Sequence, residues 1–223
     1  MKIIPMLFQT ELVRALLEGR KTVTRRPLDI APGWELKDRK PTKITSSHPK
    51  KGKWGALIRK ETFDDKYQHD LVTAPCFVGD LIYVRETFAA LGHNDYQQVN
   101  PSHITEIHEY RYKASEKESI ANCQDHEVRG YKWVPSIHMP KNASRLTLKV
   151  TDVRIERAQE ITVDQALKEG INHHSMNCPK AEFGQLWNEL YNNWDQNPYV
   201  WVIEFKVIHK NVDQVISEIK VTA

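Results

Sequence analysis

The chain has 223 residues, of which 40% are hydrophobic and 27% are charged, and its formal net charge at pH 7 is +3. This is an ordinary composition for a soluble globular protein, and the length suits one elaborated domain or two small ones. The sequence excludes a membrane-spanning helix, because no run approaches the roughly 18 apolar residues that a span needs. Three widely spaced cysteines exclude a disulfide framework, and residues 1–14 make a poor signal peptide, so we expect a cytoplasmic protein.

The positive charge is concentrated in one quarter of the chain. Between Arg20 and Lys60 there are thirteen Lys and Arg residues against three Asp and Glu residues, a net charge of +10, so the remaining residues carry −7. A nearly neutral protein with one strongly basic segment suggests a surface that faces a polyanion such as nucleic acid. A solubilising loop is the alternative explanation of the same charges.

The first predicted element is a helix that begins near Thr10 and stops at Gly19. Thr10 suits the N-cap, the apolar residues that follow fall on one helical face, and Gly19 suits the left-handed position after the helix. The next segment combines four cations and two hydroxyls: Arg20, Lys21, Thr22, Thr24, Arg25 and Arg26. We expect this segment to be extended and to form an anion or nucleotide site, with a solvated basic turn as the alternative.

Residues 27–76 are a first predicted insertion, in which hydrophobic periodicity fades and Pro and Gly recur. Within it, residues 43–55 are predicted to form a mobile loop or a hairpin. Trp34 and Trp54 lie among the cations of this stretch. Aromatic side chains interleaved with Lys and Arg can stack on bases, or they can equally attach a long loop to the domain.

A short buried strand is predicted over residues 81–84, after a turn at Gly79-Asp80. Arg85 and Glu86 follow this strand, at a place where folds commonly hold site residues. They are therefore candidates for binding substrate or RNA, and a structural ion pair is the alternative role.

Residues 89–132 are a second polar insertion, with a strand predicted around residues 110–112. The segment 133–145 that follows contains two prolines and is predicted to be irregular. It exposes three further candidates for binding substrate or RNA: Ser136, His138 and Arg145. His138 can act as a base or a ligand, whereas a single His is more often a structural residue.

The last third of the chain carries the clearest elements. A strand is predicted over residues 146–158, with a bulge or bend where the buried parity changes near Thr151-Asp152. A short helix follows, with a capping box from Thr162 to Gln165 and a terminating Gly170. The remaining predictions are an amphipathic helix over 183–194, a buried strand over 199–208, and a weak helix or disorder after Lys210.

Glu169 is the last residue of the predicted helix before Gly170. A carboxylate at a helix C-terminus opposes the macrodipole, by a few tenths to about one kcal/mol. Such a group is expected either to lie near a cation or to bind a proton more readily. Glu169 is therefore a functional candidate on the residues alone.

The sequence contains no Walker loop, dinucleotide glycine pattern or G-x-S-x-G elbow. Two groups of residues are potential zinc ligands, Cys123 with His126, and His173 and His174 with Cys178. Neither group has paired C-x-x-C spacing, so we expect no metal site and no cofactor.

Four segments, in this order, carry a resemblance to a known family: EGRKTVTRR at 18–26, VGDLIYVRE at 78–86, ALKEGI at 166–171 and VWVIEFKVI at 200–208. They resemble the ASCH domain (activating-signal-cointegrator homology) of the PUA-like superfamily. The pattern G-R-K-T-x-T-x-R in the first segment is the most specific of them. The elaborated form is similar to the ASCH-type proteins carried by phages and prophages.

The resemblance implies an α+β fold, namely a small, partly open β-barrel flanked by helices, with a cleft for RNA or a modified nucleoside. On this basis we expect a single domain over residues 1–210. Its insertions would lie at about 27–76 and 89–132, and residues 211–223 would be a C-terminal tail.

One bacterial branch of that family consists of N4-acetylcytidine amidohydrolases, which cleave the acetyl amide on a cytosine amine. The residues credited with that chemistry are a lysine, a threonine three positions later and a glutamate that ends the helix after the central strand; they match Lys21, Thr24 and Glu169. Such a lysine can accept the threonine proton, and such a carboxyl can protonate the leaving amine and then activate water. Three arginines are candidates for holding a phosphate or polarising a carbonyl: Arg20, Arg26 and Arg85.

The sequence therefore predicts an ASCH-domain protein that binds a cytidine-like nucleobase and removes an acyl group from N4-acylated cytidine. Its expected partner is a modified nucleoside or RNA, and neither a membrane nor an obligatory protein partner is expected. The alternatives are a non-catalytic RNA-binding module that uses the basic 20–60 surface, a ribonuclease, and a structural protein, because a fold alone does not decide function.

Overall fold

The structure of the chain, a computed structural model, describes residues 1–45, 47–64, 66–94, 97–171 and 178–222. The helices are α1 (Thr10–Leu17), α2 (Glu118–Ala121), α3 (His126–Arg129), α4 (Val163–Lys168), α5 (Pro179–Tyr191) and α6 (Val212–Thr222). The strands are β1 (Ile3–Leu7), β2 (Val23–Pro27), β3 (Glu35–Leu36), β4 (Thr42–Lys43), β5 (Trp54–Glu61), β6 (Tyr67–Thr73), β7 (Leu81–Arg85), β8 (Phe88–Gly92), β9 (Ile107–Tyr112), β10 (Thr147–Arg157) and β11 (Tyr199–Ile208). Helices and mixed sheets make this an α+β protein, as the sequence predicts. Within the described ranges, no helix has the length and apolar character needed to cross a bilayer.

The chain forms two compact units, each assembled from separate stretches of sequence. The first unit comprises Met1–Arg20, Leu81–Lys149 and Val207–Ala223, and the second comprises Lys21–Asp80 and Val150–Lys206. The main chain therefore passes from one unit to the other four times.

In the first unit, β1 runs parallel to β7, and the start of β10 runs antiparallel to β7 with Leu148 opposite Ile82. Helix α6 packs Val212 and Val215 against Leu81 of β7. The tail after Lys210 is thus helical, which agrees with the first of the two predicted alternatives. The second predicted insertion contributes the antiparallel hairpin β8–β9 and helices α2 and α3 to this unit, and the strand predicted around residues 110–112 is part of β9.

Helix α1 has the predicted extent but a different N-terminus. Gln9 is the N-cap residue, Thr10 is the first helical residue, and no side chain caps the helix, so the assignment of Thr10 as N-cap is wrong. The helix buries Val13 and Leu16 completely. Gly19 has φ of 74°, the left-handed conformation predicted for the residue that stops the helix.

In the second unit, β2 runs antiparallel to β11, with Thr24 opposite Ile203. Side chains alternate between the two faces of such a pair. Val23 and Val202 share one face, which α4 and α5 cover. The other face carries Thr24 and Ile203, and both residues are buried. Because both faces of β11 are buried, its sequence is a nearly continuous run of hydrophobic residues.

Residues 27–76 contain a second sheet of the second unit, although their hydrophobic periodicity is weak. Strand β5 pairs with β3, β4 and β6, and its longest partner is β6. A Cβ at Gly55 would stand 2.3 Å from the carbonyl oxygen of Val72, so only glycine allows β6 this close. The first predicted insertion is therefore a folded antiparallel sheet.

The hairpin alternative for residues 43–55 agrees with the structure, because Lys43 lies opposite Trp54 across β4 and β5. The Trp54 ring stacks on Phe77, with centroids 3.7 Å apart and planes 5° apart. Trp54 thus attaches the hairpin to the second unit, which agrees with one of its two predicted roles.

The strand predicted over residues 146–158 is confirmed as β10, which is continuous over eleven residues. Its buried positions change parity between Val150 and Val153, close to the predicted Thr151-Asp152 irregularity.

Candidate functional site

A buried ion pair joins Lys21 to Glu169 in the second unit. Lys21 Nζ donates a hydrogen bond to Glu169 Oε2 at 2.7 Å and a second one to the Glu169 carbonyl oxygen at 2.8 Å. Lys21 is 1% exposed and Glu169 is 3% exposed. A buried ammonium group requires a partner of opposite charge, because removing the Glu169 carboxylate would leave the charge of Lys21 uncompensated away from water.

The local backbone brings these two residues together. Helix α4 begins with the predicted capping box between Thr162 and Gln165, and it ends at Glu169, which is its C-cap residue. Gly170 then has φ of 92° and turns the chain. The Thr22 N–H donates to the carbonyl of Lys168 at 2.9 Å, so the end of α4 is tied to the segment that carries Lys21.

Arg25 completes the arrangement. Its Nη1 donates to Glu169 Oε1 at 3.1 Å, and its Nη2 donates to Glu156 Oε2 at 2.9 Å and to Gln165 Oε1 at 3.0 Å. These contacts join four charged residues in one network: Lys21, Arg25, Glu156 and Glu169. Glu156 also accepts a hydrogen bond from Arg154 at 2.6 Å. The expectation that Glu169 lies near a cation agrees with this geometry.

Burial lowers the pKa of Lys21 below its ordinary value of 10.5. Glu169 opposes this shift, while the neighbouring charges of Arg26 and Arg25 add to it. A lysine with a lowered pKa gives up its proton more easily, so it can serve as a general base.

Thr24 is buried in β2, at 4% exposure. It lies on the face of the strand opposite that of Val23 and Arg25. Within the described residues, its hydroxyl forms no hydrogen bond to Lys21 or Glu169. The structure thus brings Lys21 and Glu169 together and leaves the role of Thr24 as a prediction.

A depression of about 480 Å³ lies beside this network in the second unit. Thr22, Val23 and Lys168 are among the residues that line it, and so is Gln165. Because Gln165 also binds Arg25, it connects the depression with the buried charges. The volume is in the range of small-molecule sites.

The other cations of the 20–26 segment have separate contacts. Arg20 binds Glu18 at 2.6 Å in the first unit. Arg26 Nη1 donates to the hydroxyl of Tyr191 on α5 at 3.2 Å. Neither contact joins the network of Lys21 and Glu169.

The remaining predicted binding residues lie in the first unit. Glu86 is 1% exposed and binds Arg145 through both carboxylate oxygens, at 2.9 Å each. Arg145 also stacks over Tyr112 and donates to Ser115. Burial raises the pKa of Glu86, and Arg145 opposes that shift. This geometry agrees with the structural ion pair weighed as the alternative for Glu86.

Arg85, Ser136 and His138 are closer to the surface of the first unit. Arg85 donates to the carbonyl of Ile137, and Ser136 begins a short 3₁₀ turn that ends at His138. His138 is exposed and lines a depression of about 640 Å³. Their predicted role in binding substrate or RNA stays a prediction.

The described part of the chain contains no group of three or more His, Cys, Asp or Glu placed to hold a metal ion. Of the potential zinc ligands, His173 and His174 lie outside the described residues, and so does the side chain of His126.

The sequence pointed to Lys21 and Glu169 as catalytic candidates, but it did not predict the contacts of Arg25 with Glu156 and Gln165. Arg25 lies two residues after Val23 on β2, so it shares the face of the strand that packs on the core. A cation at such a position requires a buried hydrogen-bond acceptor, and this requirement could have identified Arg25 as part of the site. The acceptors themselves lie 131 to 144 residues away, and no local pattern identifies them.

No family model, curated protein or solved structure matches this chain.

Proposed function

We propose that the protein is a hydrolase that removes the acyl group from an N4-acylated cytidine, within a PUA-like ASCH fold. The observation that carries this proposal is the buried hydrogen-bonded pair of Lys21 and Glu169 beside a depression of about 480 Å³. These are two of the three residue types, at the matching positions, that the resemblance implies for this chemistry.

The proposed reaction moves one proton along the pair. The nucleophile is the Thr24 hydroxyl, whose oxygen attacks the acyl carbonyl while its proton passes to the neutral amine of Lys21. Lys21 then returns this proton through its 2.7 Å hydrogen bond with Glu169 to the departing cytosine amine as the C–N bond breaks. Water, deprotonated by the same pair, hydrolyses the acyl-enzyme and restores the Thr24 hydroxyl.

Arg25 supports this cycle electrostatically. When Lys21 is neutral, the carboxylate of Glu169 still has Arg25 at 3.1 Å and so is not left buried without a cation. Thr24 must approach Lys21 when substrate is bound, since geometry without substrate does not by itself exclude a catalytic group.

The test is hydrolysis of the free nucleoside N4-acetylcytidine, followed by chromatography of cytidine. We expect Lys21→Met and Glu169→Gln to lower kcat/KM by roughly 10²- to 10⁴-fold. Thr24→Val should do the same, and Thr42→Val, at an exposed threonine of β4 that does not line the depression, is the matched control. Activity that survives Thr24→Val would assign the nucleophile to water. A folded wild-type protein that releases no cytidine from acetylated or longer acylated nucleosides would refute the proposal.

A second candidate function, non-catalytic RNA binding, is favoured by a separate observation. Six lysines on strands β3 to β5 and their connections are exposed, and none forms an ion pair within the described residues; these sheet lysines are Lys37, Lys40, Lys43, Lys51, Lys53 and Lys60. Unpaired exposed cations on one sheet suit phosphate binding. This function predicts binding that weakens steeply with salt and does not require Lys21 or Glu169.

A further inference from the structure

Trp34 differs from the other tryptophans in what its ring contacts. The chain has six tryptophans. Five of them are buried or have a ring or hydrogen-bond partner: Trp54, Trp133, Trp187, Trp194 and Trp201. Trp34 is half-buried, and no residue in the described ranges stacks on its ring or accepts a hydrogen bond from its Nε1. An indole placed in this way is accessible to a ligand.

Trp34 lines a depression of about 440 Å³ in the second unit, together with Arg157, Tyr199 and the turn at Gly33. The guanidinium of Arg157 lies 3.6 Å from the centroid of the Tyr199 ring, and its Nη1 donates to the carbonyl of Asn197 at 2.9 Å. These two contacts hold the guanidinium plane in place at the wall of the depression. Aromatic rings and arginine planes are the surfaces on which proteins stack unpaired bases.

Cations flank the same depression. A Cβ at Gly33 would stand 3.4 Å from Cε and 3.8 Å from Nζ of Lys60, so this lysine lies across the Gly33 turn. Lys37 directly follows β3, whose residues also line the depression. One sheet lysine thus lies next to the Gly33 turn and another directly follows the lining residue Leu36, so both are placed to receive phosphates at the edge of the depression.

We propose that this depression is a subsite for one unstacked base of a single-stranded nucleic acid. The base stacks on the indole of Trp34 beside the guanidinium of Arg157, and the adjacent phosphates lie on the sheet lysines. The inference rests on the second proposed function, and it adds a stacking residue and a preference for single strands. Because every base has an aromatic face, the subsite tolerates different sequences but requires the base to be unpaired.

The test is fluorescence anisotropy with a labelled 12-nucleotide oligouridine, an oligothymidine of the same length and a duplex of that length. Trp34→Ala should weaken single-strand binding about 5- to 150-fold at fixed salt, since stacking on one aromatic residue has that effect. Trp34→Phe should recover most of the affinity. The slope of log K against log salt should be the same in both variants as in the wild type, because neither removes a charge. An equal loss of affinity in Trp34→Ala for the RNA and DNA strands would show that the subsite does not recognise the 2′-hydroxyl.

The matched control is Phe63→Ala, which removes a fully exposed aromatic ring from the turn between β5 and β6. We expect this variant to bind as the wild type does. Arg157→Lys keeps the charge but loses the planar stacking group, so it should weaken binding and provides a second variant should Trp34→Ala unfold. Uridine replaced by 5-iodouridine should photo-crosslink to Trp34, as mapped by mass spectrometry.

The outcomes distinguish failure of the Trp34 subsite from failure of the second proposed function. The subsite would be refuted if binding depends on the sheet lysines but is unchanged in Trp34→Ala. It would also be refuted if binding is lost in Phe63→Ala instead. Either result would still agree with the second proposed function. Absence of any binding by the folded wild type at low salt would overturn both.

Discussion

At the scale of single residues, Arg25 is the group that makes the buried lysine possible. Its side chain is fully buried and spans Glu169, Glu156 and Gln165. Without it, Glu169 would have Lys21 as its one cation in the described contacts, and Lys21 would be held protonated. A buried charge with one partner is stable only while that partner stays charged.

Replacement of Arg25 by Gln should lower the free energy of unfolding by about 3 kcal/mol, the lower end for breaking a buried pair, because Glu169 loses one of its two cations while it keeps Lys21. Arg39→Gln is the matched control, since Arg39 pairs with Glu160 at 2.9 Å but both side chains are nearly half exposed. An exposed pair contributes about 0 to 1 kcal/mol. Urea unfolding of the two variants measures the difference, and equal losses would contradict the role given to Arg25.

The lowered pKa of Lys21 makes stability depend on pH in the alkaline range. Between that lowered pKa and 10.5, the unfolded chain binds a proton at Lys21 that the folded chain does not. The free energy of unfolding therefore rises with pH there, by up to about 1.4 kcal/mol per pH unit. Relative to Lys21→Met, the wild type should gain stability in urea unfolding as pH is raised toward 10.5. A difference between them that stays constant across this range would rule out the shift.

The same shift predicts a pH profile for the proposed hydrolysis. If neutral Lys21 is the base, kcat/KM should rise with pH and level off below pH 10.5. Arg25→Gln should move this rise to higher pH, because the positive charge of Arg25 helps to lower the pKa of Lys21. Rates of N4-acetylcytidine hydrolysis between pH 6 and pH 10 provide the measurement. A rise at the same pH in both proteins would show that Arg25 does not act on Lys21.

At the scale of elements, the short helix α4 connects its N-terminal capping box with the buried charges of Arg25 and Glu169. The Thr162 hydroxyl accepts the Gln165 N–H at 3.2 Å, and Gln165 Oε1 accepts the Thr162 N–H at 3.0 Å as well as Arg25. The capping box at one end of α4 thus helps to fix Arg25, while the C-cap at the other end supplies Glu169. A helix of six residues needs both ends secured, since it is too short to be stable by itself.

Thr162→Ala should therefore lower the free energy of unfolding by about 1 kcal/mol, the usual effect of losing an N-cap oxygen. Gln165→Ala should cost more, because it removes both the acceptor of the Thr162 N–H and the acceptor of Arg25. Thr45→Ala, at an exposed threonine, should stay within about 0.5 kcal/mol of the wild type. Urea unfolding of the three variants checks the order, and a smaller loss for Gln165→Ala than for Thr162→Ala would break the link between the cap and Arg25.

At the scale of the whole molecule, the cations of the 20–60 segment differ in burial and in pairing. The 20–60 segment carries a net charge of +10, but its cations have different roles in the structure. Lys21 and Arg25 are buried, Arg39 and Lys50 are in ion pairs, and the sheet lysines are exposed. A polyanion can reach the last group, so that group sets the salt dependence of binding.

Neutralising three sheet lysines, in Lys43→Gln, Lys51→Gln and Lys53→Gln together, should flatten the salt slope of oligouridine binding by about 2. Hydrolysis of free N4-acetylcytidine should be unaffected, since none of the three lies in the network of Lys21 and Glu169. The control changes three exposed lysines of the first unit by the same total charge: Lys117, Lys132 and Lys149. Equal flattening in both triple variants would show that binding follows net charge instead of a particular surface.

The elements that the sequence determined by itself are those whose causes are local. Helix α4 with its capping box, helix α1 up to Gly19 and strand β11 follow from caps, periodicity and hydrophobic runs within about ten residues. The α+β class was implied by the family resemblance. The catalytic roles of Lys21 and Glu169 came from a family resemblance, and neither segment alone predicted their contact.

The tertiary structure decided what depends on partners distant in sequence. The sheet in residues 27–76 exists because β5 pairs with three strands, and that pairing compensates for a weak alternation of apolar side chains. Arg25 meets Glu156 and Glu169 across more than 130 residues, and the face that Thr24 occupies is set by its register with Ile203. Local sequence specifies which backbone conformation a segment prefers, whereas the partners of a buried charge are specified only once the strands and helices have packed.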